Sequence, residues 1–231
     1  MAKTALMFGS IGAIMETSDV QRRAYNQALA EAGLAWEWSR DVYAELLNQS
    51  GGQERLSMLA AATGAGLSHA QIEQIHARKT QIACAELVAR RVGLRPGVAE
   101  LIAVAKTRRM KVAFVTTTYQ PNIDAIFEAA GQSLAKTDFD YIASRSSVVH
   151  GKPHPEAYLV ALDRLGVAPA DALAIEDTAV SVMSAKRAGL QVVATPGDIT
   201  AGQDFWQADL VANSLLADGG ALDARVLALL D

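Results

Sequence analysis

The sequence lacks several features that would direct it to a membrane, to nucleic acid or to an oxidising compartment. It has one cysteine, Cys84, in 231 residues, so no disulfide can form within the chain. No apolar run approaches the roughly 20 residues of a membrane-spanning helix, and the apolar run 4–8 is too short for a signal peptide. Its 21 basic and 25 acidic residues give a net charge of −4, with little attraction for polyanions. We expect a cytoplasmic protein with neither nucleic acid nor membrane as its partner.

Four short apolar runs predict buried parallel strands, at residues 4–8, 112–116, 172–175 and 191–194. Each is followed by a polar or glycine-containing loop and then by a helical pattern, which is the βαβ order of a doubly wound sheet. With 51% hydrophobic residues, the chain can fill such a core. The predicted fold class is therefore α/β, with a site at the carboxyl ends of the strands.

The long interval between the first two strands contains only helical patterns. Apolar residues recur at helical spacing through residues 20–32, 36–47 and 68–92, with Gly33 as a stop and Ser68 as an N-cap. The chain then returns to the sheet through a new helix that starts at Pro96. We predict a helical cap domain at residues 16–91, inserted into a core domain of residues 1–15 and 92–231.

Several residues that can carry chemistry are predicted to be structural. Cys84 has no basic cluster or helix start beside it, so a small buried apolar role is favoured over a reactive thiol. Trp36 and Trp38 are predicted to be packing aromatics. The histidines show no metal-ligand spacing and are predicted to be surface or loop residues; they are His69, His76, His150 and His154.

Polar side chains follow three of the predicted strands. Lys152 stands in a loop before two prolines, Glu176 and Asp177 follow the third strand, and Thr116 closes the second. A lysine and a hydroxyl suit phosphate binding, and paired carboxylates suit Mg²⁺. Each has a plainer alternative: a surface lysine, an acidic pair that compensates a helix dipole, and a threonine that merely ends a strand.

The segment after the first strand resembles the first motif of the haloacid dehalogenase (HAD) superfamily, which reads Phe-Asp-x-Asp-Gly-Thr. Phe8 and Gly12 keep its frame, while the two aspartates and the threonine are replaced by Gly9, Ile11 and Ala13. The first motif is therefore degenerate.

The later motifs of the superfamily are present. Residues 152–155 match Lys-Pro-x-Pro, and residues 185–189 match the family's Ala-Lys-x-Ala-Gly. The resemblance implies a HAD-like doubly wound parallel core with an inserted α-helical cap. It also implies phosphate contacts from Thr116 and Lys152, and Mg²⁺ ligation by Glu176 and Asp177.

Further segments resemble the CbbY-like group, phosphatases of xylulose bisphosphate that are close relatives of β-phosphoglucomutase. They are residues 16–17, 22–26, 51–55, 78–80, 94–97, 116–118 and 196–197. The resemblance implies that Arg55 and Lys79 hold the substrate's distal phosphate and that Glu16 contacts its sugar. Solvated helix charges are the alternative for Arg55 and Lys79.

Further departures from the CbbY-like pattern lie close to the predicted phosphate and sugar contacts. Gln21 stands where these relatives have histidine, Gln53 where they have lysine, and Val180 where they have asparagine. Such clustering favours natural divergence over a single change constructed to trap a substrate.

The missing aspartates predict an impaired catalyst. Gly9 cannot form an aspartyl phosphate, and Ile11 can neither protonate a leaving group nor activate water; such losses cost about 10⁴- to 10⁶-fold in turnover. Mg²⁺ binding remains possible but is expected to be weakened, because one carboxylate ligand is missing. Ser10 as a substitute nucleophile and Glu16 as a displaced base are the alternatives within the chain.

Three functions follow from these residues. The first is binding of a small phosphorylated sugar or similar anion with little or no catalysis. The second is an active Mg²⁺-dependent HAD hydrolase, a sugar-phosphate phosphatase that works by a modified mechanism. The third is a scaffold that uses only the fold.

Overall fold

A parallel β-sheet forms the centre of the computed structural model, which describes residues 2–9, 11–49 and 51–231. Its strands are β1 (Ala5–Phe8), β2 (Lys111–Val115), β3 (Tyr141–Ala143), β4 (Ala172–Glu176), β5 (Gln191–Ala194) and β6 (Leu210–Val211). They lie in the order β3-β2-β1-β4-β5-β6, and each adjacent pair is parallel. The carboxyl ends therefore meet at one edge, and the α/β class is confirmed.

The helices surround this sheet and fill the interval between its first two strands. In the described residues they are α1 (Ile11–Ile14), α2 (Ser18–Glu31), α3 (Arg40–Leu46), α4 (Gly52–Thr63), α5 (His69–Arg90), α6 (Val98–Thr107), α7 (Gln120–Ala130), α8 (Glu156–Leu165), α9 (Ala179–Arg187) and α10 (Ala224–Ala228). None of them is both long enough and apolar enough to span a bilayer.

Both faces of the sheet are buried, because successive side chains of each strand point to opposite sides. In β1, Leu6 and Phe8 join an apolar cluster with α6 and α7, whereas Ala5 and Met7 join a second cluster with α8 and α9. Helices on both faces are the arrangement expected of a doubly wound sheet. This packing fixes the strand ends from which the candidate site is built.

A third apolar cluster lies within the helical interval. Trp38 is 1% exposed, and its ring centroid lies 4.4 Å from that of Tyr25 and 5.9 Å from that of Tyr43. The packing role predicted for Trp38 is confirmed, and the partly buried Trp36 packs against the same cluster. The division into a core of residues 1–15 and 92–231 and a cap of residues 16–91 stays a prediction.

Element boundaries agree with the sequence patterns except at a few ends. Ser68 caps α5 as predicted, with a capping box in which its hydroxyl accepts from the backbone N–H of Gln71. The helix predicted to start at Pro96 begins at Val98, because Gly97 adopts a φ of 89° that a helix does not use. Cys84 is half-buried, with its thiol 3.5 Å from the Pro121 carbonyl.

Candidate functional site

A cavity of about 210 Å³ opens between the carboxyl ends of the strands and helices α2, α4 and α5. It brings together most of the predicted site residues: Gly9, Ile11, Arg55, Lys79, Thr116, Lys152 and Asp177. Among the described residues, Glu16 and Glu176 lie outside its lining. The lining carries four basic side chains, Arg55, Lys79, Arg145 and Lys152, against two acidic ones, Glu54 and Asp177. Basic side chains therefore outnumber acidic ones in the lining of the cavity, although the net charge of the chain is −4.

Gly9 stands directly after β1, and the space beside its Cα is already filled. Its N–H donates to the Ile175 carbonyl at 2.9 Å, and its own carbonyl accepts from Lys152 Nζ. A Cβ added at Gly9 would overlap the Tyr158 hydroxyl and the Glu176 carboxylate. Position 9 thus lacks a carboxylate and also lacks the room for one in the present arrangement.

Ile11 takes part in core packing. It begins α1 and packs, partly buried, against the cluster that contains Leu6 and Phe8. Its backbone carbonyl, a potential metal ligand, already accepts the N–H of Met15 at 2.8 Å. Ser10, the alternative nucleophile considered above, lies outside the described residues.

Lys152, Glu176 and Tyr158 form a buried network beneath the cavity. Glu176 Oε1 lies 2.6 Å from both Lys152 Nζ and the Tyr158 hydroxyl, and the Lys152 and Glu176 side chains are 2% and 0% exposed. Burial, and then the Glu176 carboxylate, raise the pKa of Tyr158 well above its usual value, so this hydroxyl keeps its proton and donates. Within the described residues Glu176 Oε2 has no hydrogen-bond partner. Sequence reasoning gave Tyr158 no role; its place seven residues before the end of α8 carries no signal of this contact.

Asp177 and Thr116 follow β4 and β2, the two strands that flank β1 in the sheet. Asp177 is 6% exposed, and a Cβ at Gly12 would overlap its carboxylate, so a glycine is needed there for the close approach. Thr116 is 4% exposed, and its hydroxyl accepts the N–H of Thr118 at 3.1 Å. Arg145, which follows β3, also lines the cavity and was missed because the short β3 was not predicted.

Arg55 and Lys79 enter the cavity from the helical side. Arg55 Nε donates to the carbonyls of Leu46 and Gln49 at 3.1 and 2.9 Å. Lys79 is 6% exposed, donates to Gln21 and lies 4.6 Å from the centre of the Tyr25 ring. Burial, with a smaller contribution from the Arg55 charge, lowers the pKa of Lys79 to about 7. Lys79 is therefore not a solvated helix charge.

Glu16 lies at the edge of this region. Its carboxylate accepts the N–H of Ser18 at 2.9 Å. A Cβ at Gly197 would overlap the same carboxylate, so the two segments touch there. Its predicted contact with a sugar stays a prediction.

One histidine prediction is wrong. His76 is 7% exposed in α5 and lines the cavity, and its ring lies 5.6 Å from that of Tyr119. Burial, and then the charges of Lys79 and Arg55, lower the pKa of His76 to about 3, so its imidazole is neutral at physiological pH. The three-residue spacing from Lys79 on one helix face could have indicated this position.

Comparison with known proteins agrees with the motifs. The model of the haloacid dehalogenase-like hydrolase family matches residues 6–189. Protein CbbY of Rhodobacter capsulatus is 42% identical over 209 residues, which cover 90% of this chain and 92% of that protein. Protein CbbY of Cereibacter sphaeroides is 37% identical over 216 residues, covering 94% of each.

Solved structures of CbbY are also similar to this chain. CbbY from Rhodobacter sphaeroides in complex with phosphate is similar at a TM-score of 0.87 and 36% identity, with 99% of each chain covered. A mutant of that protein in complex with xylulose-(1,5)bisphosphate is similar at a TM-score of 0.86 and 35% identity. On its family match, its relatives and its fold, this chain belongs to the haloacid dehalogenase-like hydrolases, in the CbbY-like group.

Proposed function

We propose that this protein binds a small phosphorylated molecule of the sugar bisphosphate class and transfers its phosphoryl group very slowly or not at all. The observation that carries the proposal is a positively lined cavity beside a residue 9 that has no side chain and whose space holds Tyr158 and Glu176. The cations that would bind an anion are retained, whereas the carboxylate that would attack its phosphorus is missing.

Two separate groups of donors support a ligand with two phosphates. Thr116, Arg145 and Lys152 lie at the strand ends, and Arg55 and Lys79 lie on the helices opposite. Charge-assisted hydrogen bonds from such groups are among the stronger ones that a protein offers a phosphate. The phosphate and xylulose-(1,5)bisphosphate bound by the similar CbbY structures are of this chemical class.

The donor set also fits a weakly held Mg²⁺. Glu176 and Asp177 would hold the ion, since both are carboxylates and Glu176 Oε2 is buried with no partner in the described part of the chain. When bound, Mg²⁺ would neutralise part of the ligand's phosphate charge. Gly9 and Ile11 contribute no side-chain oxygen to the ion, so a weak affinity is expected.

Glu16 and Lys152 bear on the alternative of an active hydrolase. Glu16 does not line the cavity, which disfavours its use as a displaced general base. Retention of Lys152, Thr116 and Asp177 favours the alternative, because these groups would also serve turnover.

A binding titration with a matched phosphate-release assay tests the proposal. We expect xylulose 1,5-bisphosphate to bind the wild-type protein in the presence of Mg²⁺, with no phosphate release above background. Arg55→Met should raise the dissociation constant at least about tenfold, because a charge-assisted hydrogen bond is lost. Arg78→Met is the matched control, since Arg78 is exposed on α5 and pairs with Glu31.

The same assays separate the alternatives. Turnover at ordinary enzymatic rates that Asp177→Asn abolishes would establish the active hydrolase instead. Absence of both binding and turnover would leave only the scaffold function.

The pKa of Lys79 predicts how binding depends on pH. Because Lys79 loses its proton as the pH rises through about 7, anion affinity should fall between pH 6 and 8. The expected loss is about tenfold, the change in the protonated fraction of one such group. Because the second pKa of a phosphate monoester is about 6, each phosphate of the ligand is about half dianionic at pH 6 and almost fully dianionic at pH 8, so the affinities are compared per dianionic ligand.

The control for this pH effect is Lys79→Arg, whose guanidinium stays protonated throughout. Titrations of the variant should give a nearly flat profile. An unchanged tenfold fall in Lys79→Arg would assign the pH dependence to another group.

A further inference from the structure

A second cluster of ligand-type side chains lies on the loop that leads from β3 to α8, apart from the cavity. It consists of His150, His154 and Glu156, from each of which one donor atom lies within 4.8 Å of the other two. In residues 2–9, 11–49 and 51–231, no other group of three histidine, cysteine or acidic side chains meets this geometry. His150 and His154 are exposed loop residues, as the sequence predicts, and the structure brings their ring nitrogens close to the Glu156 carboxylate.

The separations of the donor atoms are close to those around a small metal ion, which would displace the hydrogen bond that joins His150 Nδ1 to Glu156 Oε2. Glu156 Oε2 lies 2.9 Å from His150 Nδ1 and 3.8 Å from His154 Nδ1, and the imidazole centroids are 4.6 Å apart. Zinc–ligand bonds of about 2.0–2.1 Å place neighbouring tetrahedral ligands about 3.3 Å apart. The histidine side chains are 63% and 50% exposed, so they can rotate the short distance that remains.

The carboxylate of the cluster is held in place before any ion arrives. The backbone N–H groups of Val149 and His150 donate to Glu156 Oε1 and Oε2, each at 2.8 Å. These two bonds fix the orientation of the carboxylate. A fixed, charged ligand reduces the entropy lost when an ion binds.

The Nδ1 atom of His154 can also act as a metal ligand. The Glu156 N–H donates to His154 Nδ1 at 3.3 Å, so this nitrogen carries a lone pair rather than a proton. A metal at Nδ1 would replace only that one long hydrogen bond. Pro153 and Pro155 flank His154 and restrict the backbone that positions it.

The donor types select the class of cation. Imidazole nitrogens suit zinc, copper, nickel and cobalt, whereas Mg²⁺ and Ca²⁺ prefer sets made only of oxygen ligands. Two imidazoles and one carboxylate also leave coordination positions for water.

We propose that His150, His154 and Glu156 form a surface site for a divalent transition-metal ion such as Zn²⁺, separate from the Glu176 and Asp177 carboxylates. The site is formed by a single loop and the first turn of α8. It does not depend on whether the cavity binds a sugar phosphate.

Zn²⁺ calorimetry and Co²⁺ absorption spectroscopy on metal-stripped protein without a polyhistidine tag test this site. Excess Mg²⁺ is included to compete for the Glu176 and Asp177 carboxylates. We expect one Zn²⁺ per chain, and at least about a tenfold loss of affinity in each of His150→Ala and His154→Ala. His69→Ala is the matched control, because His69 is an exposed histidine 3.3 Å from a carboxylate of Glu73.

The outcomes are distinct. Equal Zn²⁺ affinity in the wild type and all three variants would place the ion elsewhere and overturn the proposal. So would the absence of Zn²⁺ binding by the wild type, in which case the cluster only joins the loop to α8 by hydrogen bonds. Circular dichroism checks that the variants are folded, which their exposure predicts.

Discussion

The combined variant Gly9→Asp/Ile11→Asp/Tyr158→Phe is expected to release phosphate from a sugar bisphosphate on the order of 10⁴-fold faster than the wild-type protein. It supplies a carboxylate to attack phosphorus and a second one to move the proton of the leaving group. The φ of Gly9 lies outside the left-handed region, so the backbone accepts Asp. Steady-state phosphate release with Mg²⁺ measures the effect.

Tyr158→Phe is part of this variant because it removes the hydroxyl that overlaps position 9 and donates to Glu176 Oε1; the Glu176 side chain, the second overlapping group, must then rotate away. Without it, Gly9→Asp/Ile11→Asp should melt at a lower temperature and turn over more slowly, since the new side chain meets the Tyr158 hydroxyl and Glu176. Tyr158→Phe alone should not raise the rate and serves as the control. A combined variant that folds and binds the bisphosphate but gains no rate would show that the residues at these two positions do not by themselves limit phosphate release.

Lys152→Met is expected to lower the free energy of unfolding by about 3–5 kcal/mol, because it leaves the Glu176 carboxylate buried without its cation. The pair lies 2.6 Å apart, and neither side chain is more than 2% exposed. Denaturant unfolding of the wild type and the variant measures the difference.

Two controls define the cause of this loss. Lys152→Met/Glu176→Gln removes both charges and should recover most of the stability. Lys186→Met breaks a pair with Asp209 whose side chains are 31% and 28% exposed, and should cost no more than about 1 kcal/mol. Equal losses in Lys152→Met and in its double variant would contradict the role given to the buried carboxylate.

The longer strands could be predicted from the sequence because each is an uninterrupted apolar run buried on both faces. β1, β2, β4 and β5 lie within one residue of the predicted ends. β3 and β6 were missed: they are three and two residues long, and all their side chains except that of Ala143 are at least partly exposed. Such short segments are defined by pairing with β2 and β5, which a local pattern does not record.

The residues at the strand ends of the candidate site could be predicted from the sequence, whereas the buried contacts beneath the cavity could not. The strand-end rule and the family motifs indicated Thr116, Lys152 and Asp177, which all line the cavity. The orientation of Glu176 towards Lys152 and Tyr158 could not be predicted, since it depends on the space beside residue 9 and on contacts between distant parts of the chain. Glu176 lies 24 positions after Lys152 and 18 after Tyr158.

The filled space beside Gly9 has an evolutionary consequence. A lineage that regained aspartate at this position alone would first meet a steric penalty from Tyr158 and Glu176, before any catalytic benefit could be selected. If the protein has lost phosphoryl transfer, as proposed above, its return needs a second change that frees the space beside residue 9, such as loss of the Tyr158 hydroxyl together with rotation of the Glu176 side chain. In that case the filled space at position 9 makes the loss hard to reverse.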